Sequence, residues 1–141
     1  MSEQNIALLR GAIEAFNARD IEAFLAYCDP RIEYHPVVAA VSGAIYRGHD
    51  GVRRFFMDLE DAWGGDIRVE PETYFDLGEQ ILLFYVLHGR GRQSRADVAM
   101  PVAMAATWRE GLLVYFRGYA DRQDALRDLG ISEDTLKPIA P

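Results

Sequence analysis

The spacing of apolar residues divides the chain into a helical N-terminal half and a strand-rich C-terminal half. Three early segments repeat apolar residues every three or four positions, as an amphipathic helix does. We interpret Ser2, Asp20 and Asp50 as their N-terminal cap residues, because short polar side chains can accept bonds from free backbone N–H groups. The second helix should end at Asp29-Pro30 and the third at Gly64-Gly65.

From Ile67 onward the apolar period is two, which is typical of strands. The sequence predicts strands near 67–76, 80–92, 96–109 and 112–120. Their short connections favour an antiparallel meander. A last helix, capped by Asp121, and a C-terminal arm follow. Because repeats and linkers are missing from the sequence, we expect one domain over residues 1–141.

The strand Ile81–Val86 is apolar on both of its faces. A strand of an antiparallel sheet with one solvated face would alternate apolar and polar residues. We therefore expect both faces to be covered, one by the helices and the other, on one interpretation, by a second subunit.

The next strand alternates large side chains at 98, 100, 102 and 104 with small ones, which include Ala103 and Ala105. The small set leaves open volume on one face of the predicted sheet. Two interpretations remain open here: a helix that approaches the strand closely, or one wall of a cavity.

The segment Ile32-Glu33-Tyr34-His35-Pro36 has the pattern of a short strand that ends on a histidine. Imidazole is the side chain whose ordinary pKa permits proton transfer near neutral pH, and Pro36 favours an extended backbone at the residue before it. His35 is therefore the first candidate for acid–base chemistry. A hydrogen-bonded structural histidine is the alternative.

Composition argues against several classes of function. The formal net charge is −7 and the 15 basic residues are scattered, so the basic face that nucleic acid requires is missing. We expect the one cysteine, Cys28, to be a small buried side chain. The three histidines lack metal-site spacing. Without an apolar window or signal-peptide pattern, a cytoplasmic protein that does not contact membranes is expected.

Five short motifs lie at the predicted caps and turns. They are Phe16-Asn17-Ala18-Arg19-Asp20 and the stretches 29–36, 46–52, 108–111 and 119–126. Together they resemble the nuclear-transport-factor-2-like superfamily, and within it the SnoaL-like group that includes polyketide cyclases and ketosteroid-isomerase-like proteins. The resemblance spans nearly the whole chain, but caps and turns indicate fold more than reaction.

The resemblance implies an α+β fold, a cone-shaped α+β barrel in which a curved antiparallel sheet wraps around three N-terminal helices and a short C-terminal helix follows. It also implies an apolar pocket at the open end of the cone and a homodimer through the outer face of the sheet. The pocket would hold a small apolar ligand without a metal or organic cofactor. We assign to its lining Phe16, Tyr34, Tyr46, Phe56, Trp63, Ala103 and Gly118.

Comparison with the reactions of this family leaves His35 as the one catalytic candidate. His35 stands at the base position of ketosteroid isomerases, whereas Ala12 and Ala103 (or Met104) stand at the positions of the two oxyanion donors. Steroid-isomerase chemistry in its usual form is therefore not expected. The Asp-Arg-Asp set of limonene-epoxide hydrolases is also incomplete, because Gly118 stands at the second aspartate position.

Two kinds of function remain. The first is an isomerase or lyase of the cyclase type, in which His35 acts as general acid or base on a carbonyl-bearing ligand. The second is non-catalytic: the cone binds an apolar ligand, or its own side chains fill it and the protein is a dimeric scaffold. A large void beside Ala103 and Ala105 would favour binding over the scaffold.

Overall fold

The longer helices and strands follow one another in the order that the two apolar periods predict, and two short strands, at Tyr46–Arg47 and Pro138–Ile139, were not predicted. The computed structural model describes residues 2–37, 45–64, 66–90 and 97–141. The helices are α1 (Ser2–Asn17), α2 (Ile21–Ala26), α3 (Gly48–Trp63) and α4 (Arg122–Leu129). The strands are β1 (Cys28–His35), β2 (Tyr46–Arg47), β3 (Arg68–Asp76), β4 (Gln80–Arg90), β5 (Asp97–Arg109), β6 (Leu112–Tyr119) and β7 (Pro138–Ile139). None of the described helices is long and apolar enough to cross a membrane.

The strands form one curved, unclosed sheet in the order β2-β1-β6-β5-β4-β3-β7. Strands β3 to β6 make the predicted antiparallel meander. Strand β1, in contrast, runs parallel to β6, and the long stretch of chain between them permits this pairing. The predicted α+β class is confirmed. The predicted strand ends at 91–92 and 96, and the turn between them, lie outside the described residues.

Strand β4 presents its alternate residues to two different apolar layers. On the inner face, Ile81, Leu83 and Tyr85 pack in one core with α1, α2 and α3. On the outer face, Leu82 and Phe84 pack against α4 and the residues that follow it. Both faces are therefore covered by this chain, so the burial of β4 does not require a second subunit.

Strand β5 follows the same division between the two layers. Val102 and Met104 lie in the inner core, whereas Ala103 and Ala105 are fully buried beneath α4. Leu126 of α4 packs in the same outer cluster as the two alanines. The interpretation of the small residues as the site of a close helix approach is thus correct, and their interpretation as a cavity wall is wrong.

Two predicted helix boundaries need correction. Helix α3 begins at Gly48 and its cap position is Arg47, so Asp50 lies in the first turn, where it pairs with Arg53 at 3.2 Å. The φ of Gly48 is +72°, which glycine adopts without strain and which turns the chain from β2 into α3. Asp29-Pro30 lies inside β1, which begins two residues after the end of α2.

Two other predicted caps are confirmed. Asp20 accepts a hydrogen bond from the N–H of Ala23 at 3.1 Å, at the start of α2. Asp121 accepts one from the N–H of Gln123 at 2.7 Å, at the start of α4. In both helices the cap satisfies a backbone donor that the helix itself leaves free.

The break after α1 places polar side chains along the edge of the sheet. Asn17 exchanges two hydrogen bonds with the backbone of Val69, of 2.9 Å as donor and 2.8 Å as acceptor. Arg19, whose φ is 58°, donates to the carbonyl of Ile67 at 2.6 Å. An uncovered strand edge offers free backbone groups to other chains, and these two residues cover part of the edge of β3.

Candidate ligand cavity

A small cavity lies between the inner face of the sheet and helices α1 to α3. Its volume is about 40 Å³. The lining comprises Leu9, Ala12, Ile13, Phe16, Phe24, Tyr34, Pro36, Val37, Phe55, Val69, Tyr85, Leu87, Met104, Leu113 and Phe116. We call this space the inner cavity.

Two phenol groups provide the polar side-chain atoms of this lining. Tyr34 and Tyr85 are its only members, among the described residues, whose side chains carry an oxygen or nitrogen atom. Both are buried, with exposed fractions of 4% and 2%. No hydrogen bond joins either phenol to another described residue. Each is therefore a donor that no other described side chain or carbonyl engages, and it remains available to a ligand in the cavity.

Strand alternation explains why these two tyrosines meet. Tyr34 of β1 is the cross-strand partner of Phe116 of β6, and the two rings stack with centroids 4.4 Å apart. Tyr85 belongs to the inner set of β4 and is the cross-strand partner of Val102 in β5. Because Phe116 and Val102 both face the core, their partners do as well.

Burial keeps these groups protonated at neutral pH. Desolvation raises the pKa of Tyr34 well above its ordinary value, and the nearby Cys28 and Tyr85 raise it further. Desolvation also raises the pKa of Tyr85 and raises that of Cys28 to about 12. All three side chains are therefore neutral, so they can donate hydrogen bonds but cannot serve as bases.

A second cavity adjoins the first at the rim of the sheet. Its volume is about 100 Å³, and it is lined by Val37, Trp63, Ile67, Leu87, Gly89, Val98 and Met100. It shares Val37 and Leu87 with the inner cavity. We call it the outer cavity. Met100 is 40% exposed, so this cavity lies nearer to solvent.

The predicted lining residues divide into two groups. Phe16 and Tyr34 line the inner cavity, and Trp63 lines the outer one. Phe56 is buried in the core, where its ring contacts Phe16 and others, and is not part of either lining. Tyr46 is also outside both linings, and its hydroxyl donates to Asp58 at 2.6 Å.

The predictions for Ala103 and Gly118 require correction. Ala103 lies on the outer face of the sheet, beneath α4. Gly118 pairs with the inward-facing Met104, but the space beside it is taken by Val37: a Cβ atom at 118 would lie 2.6 Å from the Val37 nitrogen. The glycine thus permits a close approach of the backbone and leaves no open volume.

The structure places His35 on the outer face of the sheet, not in the cavity. Consecutive strand residues point to opposite faces, so the inward position of Tyr34 sends His35 outward. Its Nε2 lies 2.7 Å from the Glu33 carboxylate, and its ring centroid lies 5.2 Å from that of Tyr115. The hydrogen bond to His35 lowers the pKa of Glu33. This is the hydrogen-bonded histidine of the alternative interpretation.

The other histidines also have structural partners. His49 Nε2 lies 2.8 Å from the Cys28 carbonyl at the start of α3, and His88 Nε2 lies 2.6 Å from Glu70 on the outer face. Within the ranges that the structure describes, no group of three or more acidic, histidine or cysteine residues could hold a metal ion. Asp97, from the Arg-Ala-Asp triplet, is exposed and pairs with Arg90 at 2.8 Å.

Sequence reasoning missed Tyr85, the second phenol of the inner cavity. Its signal was present in the alternation of β4, where Ile81, Leu83 and Tyr85 form one set. The neighbouring set is equally apolar, so the sequence did not reveal which of the two faces the helices. Ala12 lines the cavity, and of the two residues that the resemblance offers for the second oxyanion position, Met104 lines it and Ala103 does not.

A curved, unclosed sheet packed on three helices, with an apolar interior, defines an α+β protein of the nuclear-transport-factor-2-like type. The family model described as a SnoaL-like domain matches residues 9–116. The chain therefore belongs to the SnoaL-like family. No protein with a curated description matches its sequence.

Several solved structures share the fold. An NTF2-like protein of unknown function from Burkholderia pseudomallei K96243 has a TM-score of 0.74 and 22% identity, with 88% of this chain and 95% of that chain covered. TerC co-crystallized with polyporic acid has a TM-score of 0.75 and 21% identity, with coverages of 89% and 97%. A Catenulispora acidiphila DSM 44928 protein with a ketosteroid isomerase-like fold, in complex with trimethylamine, has a TM-score of 0.72 and 15% identity, with coverages of 90% and 95%. At these identities the likeness shows the fold alone.

Proposed function

We propose that this SnoaL-like protein binds a small apolar molecule that carries a hydrogen-bond acceptor, such as a carbonyl group. The observation that carries the proposal is the pair of phenols, Tyr34 and Tyr85, in an otherwise apolar cavity without hydrogen-bond partners among the described residues. A carbonyl oxygen placed between them would satisfy both donors. An entirely apolar ligand would leave them unpaired.

The volume of the cavities supports a small ligand. The inner cavity, at about 40 Å³, is far below the size of a typical drug-sized site, and the outer one adds about 100 Å³. An apolar cavity of about 150 Å³ accepts benzene. The proposed ligand is therefore a single ring or a short chain, and a fused polycyclic molecule would require the core to open.

The chemistry of the lining favours binding over catalysis. General acid–base catalysis needs a group that accepts a proton within hydrogen-bond reach of the substrate. The described lining offers neither a carboxylate nor an imidazole, and the Cys28 thiol is held protonated. An isomerase or lyase that uses His35 is the alternative, and it would require the ligand to bind on the outer face of the sheet.

Isothermal titration calorimetry with 2-heptanone and n-octane as probes tests the proposal. We expect the ketone to bind, and Tyr85→Phe to weaken its binding about fivefold, since one hydrogen bond contributes about 1 kcal/mol. The alkane should bind the variant at least as well as the wild type, because it forms no bond to the phenol.

Tyr74→Phe is the matched control for this experiment. The Tyr74 hydroxyl is buried and the Arg10 guanidinium lies 5.0 Å from the Tyr74 ring centroid, but Tyr74 does not line the cavity. Its removal should leave ketone binding unchanged. Equal losses in both variants, or no ketone binding at all, would contradict the proposal and favour a scaffold whose interior is filled by its own side chains.

A further inference from the structure

We propose that the inner and outer cavities together form one elongated site, which selects an acceptor-headed ligand by the length of its apolar tail. The inference rests on the proposed function and deepens it. The head of the ligand would lie at Tyr34 and Tyr85, and its tail would pass between Val37 and Leu87 into the outer cavity. The class of ligand is therefore a short amphiphile, such as a linear methyl ketone.

The inner and outer cavities share two of their lining side chains. Val37 and Leu87 line both spaces, so only this pair of side chains needs to move apart for the two volumes to join. Leu87 belongs to the inner set of β4, two residues beyond Tyr85 along the strand. Because residues two apart in a strand are about 6–7 Å apart, the donor and the passage are separated by only a few methylene lengths.

The lining of the outer cavity is almost entirely apolar. Every described residue of its lining has an apolar side chain or is glycine, apart from the indole N–H of Trp63. A tail in this space would therefore bury apolar surface and meet few polar groups. A charged or strongly hydrated tail would lose its hydration there without compensation.

The cross-strand partner of Val98 is Gly89, which has no side chain, so Ile67 and Trp63 pack against its backbone. A Cβ atom at position 89 would lie 2.6 Å from Ile67 Cδ1 and 3.4 Å from Trp63 Cε3. Ile67 and Trp63 thus bound the outer cavity beside Val98, and side-chain volume added at 98 would shorten this cavity, whereas a methyl group at 89 would first displace Ile67.

A homologous series of 2-alkanones, from 2-butanone to 2-decanone, tests the inference by calorimetry. Affinity should rise about fourfold for each added methylene while the tail enters the outer cavity. It should stop rising once the tail reaches solvent at Met100. Quenching or a shift of Trp63 emission should begin only with the longer ketones and should be absent in Trp63→Phe.

Val98→Phe is the decisive variant, with Ala99→Phe as its matched control. Val98 lines the outer cavity, whereas Ala99 is exposed on the opposite face of the same strand. Val98→Phe should reduce the affinity for 2-octanone to that for 2-butanone and leave 2-butanone unaffected, while Ala99→Phe should change neither. Val98→Leu provides a smaller change of the same kind if the phenylalanine variant does not fold.

The outcomes separate the two proposals. If 2-butanone binds and loses affinity in Tyr85→Phe, but affinity is independent of tail length, the elongated site is overturned and the proposed function stands. The same holds if Val98→Phe and Ala99→Phe have equal effects. If none of the ketones binds, the proposed function fails and the elongated site fails with it.

Discussion

Two neighbouring residues, Tyr34 and His35, show how one strand assigns opposite roles to adjacent side chains. The sequence identified His35 through its titratable ring and Tyr34 as part of a predicted pocket. Parallel pairing with β6 turns Tyr34 toward Phe116 and the core, and His35 toward Arg117 on the outer face. The residue with the more suggestive chemistry is therefore the one that lies outside the cavity.

The first prediction concerns His35→Ala. We expect the variant to bind 2-heptanone within twofold of the wild type, because His35 contacts Glu33 and Tyr115 but not the cavity lining. Its melting temperature should change little, since partly exposed ion pairs contribute little to stability. Calorimetry and thermal unfolding provide both measurements. A loss of binding with an unchanged melting temperature would restore His35 as a functional residue.

A second residue-scale prediction concerns the pair Tyr46 and Asp58. The hydrogen bond from Tyr46 lowers the pKa of Asp58, and burial followed by this bond raises the pKa of Tyr46 to about 12. A lowered carboxyl pKa contributes stability above the unfolded pKa that is lost as the pH falls through the folded value. A raised phenol pKa contributes stability below the unfolded value of about 10 that is lost as the pH rises toward 12.

The substitution Tyr46→Phe should therefore lower the free energy of unfolding most at neutral pH. The difference from the wild type should shrink toward acid pH, where Asp58 is protonated in both proteins, and again toward alkaline pH. Urea unfolding at a series of pH values measures this profile. A difference that is independent of pH would show that the bond is not responsible.

At the scale of elements, α4 has the largest consequence for the interpretation of the sheet. Arg122, at its first turn, donates to the carbonyls of Val102 at 3.1 Å and Tyr85 at 2.9 Å. Leu126 and Ala125 then cover the small residues of β5. The helix thus buries the small residues for which the sequence left open a close helix approach or a cavity wall.

The element-scale prediction is the effect of Leu126→Ala. Leu126 is 5% exposed, and truncating a buried leucine costs about 2–5 kcal/mol. We expect a loss of about 3 kcal/mol in the free energy of unfolding. Arg127→Ala, on the exposed side of the same helix, should change it by less than about 0.5 kcal/mol. Urea unfolding at one pH suffices, and equal effects would show that α4 does not cover the sheet.

At the scale of the whole molecule, the homodimer through the outer face of the sheet stays a prediction. Helix α4 covers one part of that face, whereas the part formed by β1 and β6 carries the half-buried Tyr115 and His35. Its side chains combine aromatic rings with charges of both signs, as in Glu33 and Arg117, which suits contact with a second copy of the same surface.

Sedimentation velocity at micromolar concentration measures the oligomeric state. A dimer formed through this surface should dissociate in Tyr115→Glu, because an unpaired charge would be buried there. Met57→Glu should leave the dimer intact, because Met57 is 61% exposed and is not among the buried residues of α3. A monomeric wild type, or equal dissociation in both variants, would contradict the prediction.

The elements were predictable because apolar periodicity is a local property. The strand alternation of β3 to β6 and the caps Asp20 and Asp121 required only residues close in sequence. The cap at Asp50 failed because Gly48 and β2 start the helix earlier, a choice that depends on pairing between Tyr46 and Tyr34. Where a distant strand fixed a boundary, local pattern alone was insufficient.

The sequence by itself determined the α+β class, the order of the longer elements and the family to which the motifs belong. It also showed that β4 has two alternating sets of apolar residues and that β5 alternates large with small side chains, but it did not show which set of each strand faces inward. Only the tertiary structure decided that Tyr34 and Tyr85 share one cavity, that α4 covers Ala103, and that His35 lies outside. The physical reason is that a strand alternates its faces, whereas the register with a distant strand and the side on which a helix packs decide which face becomes the interior.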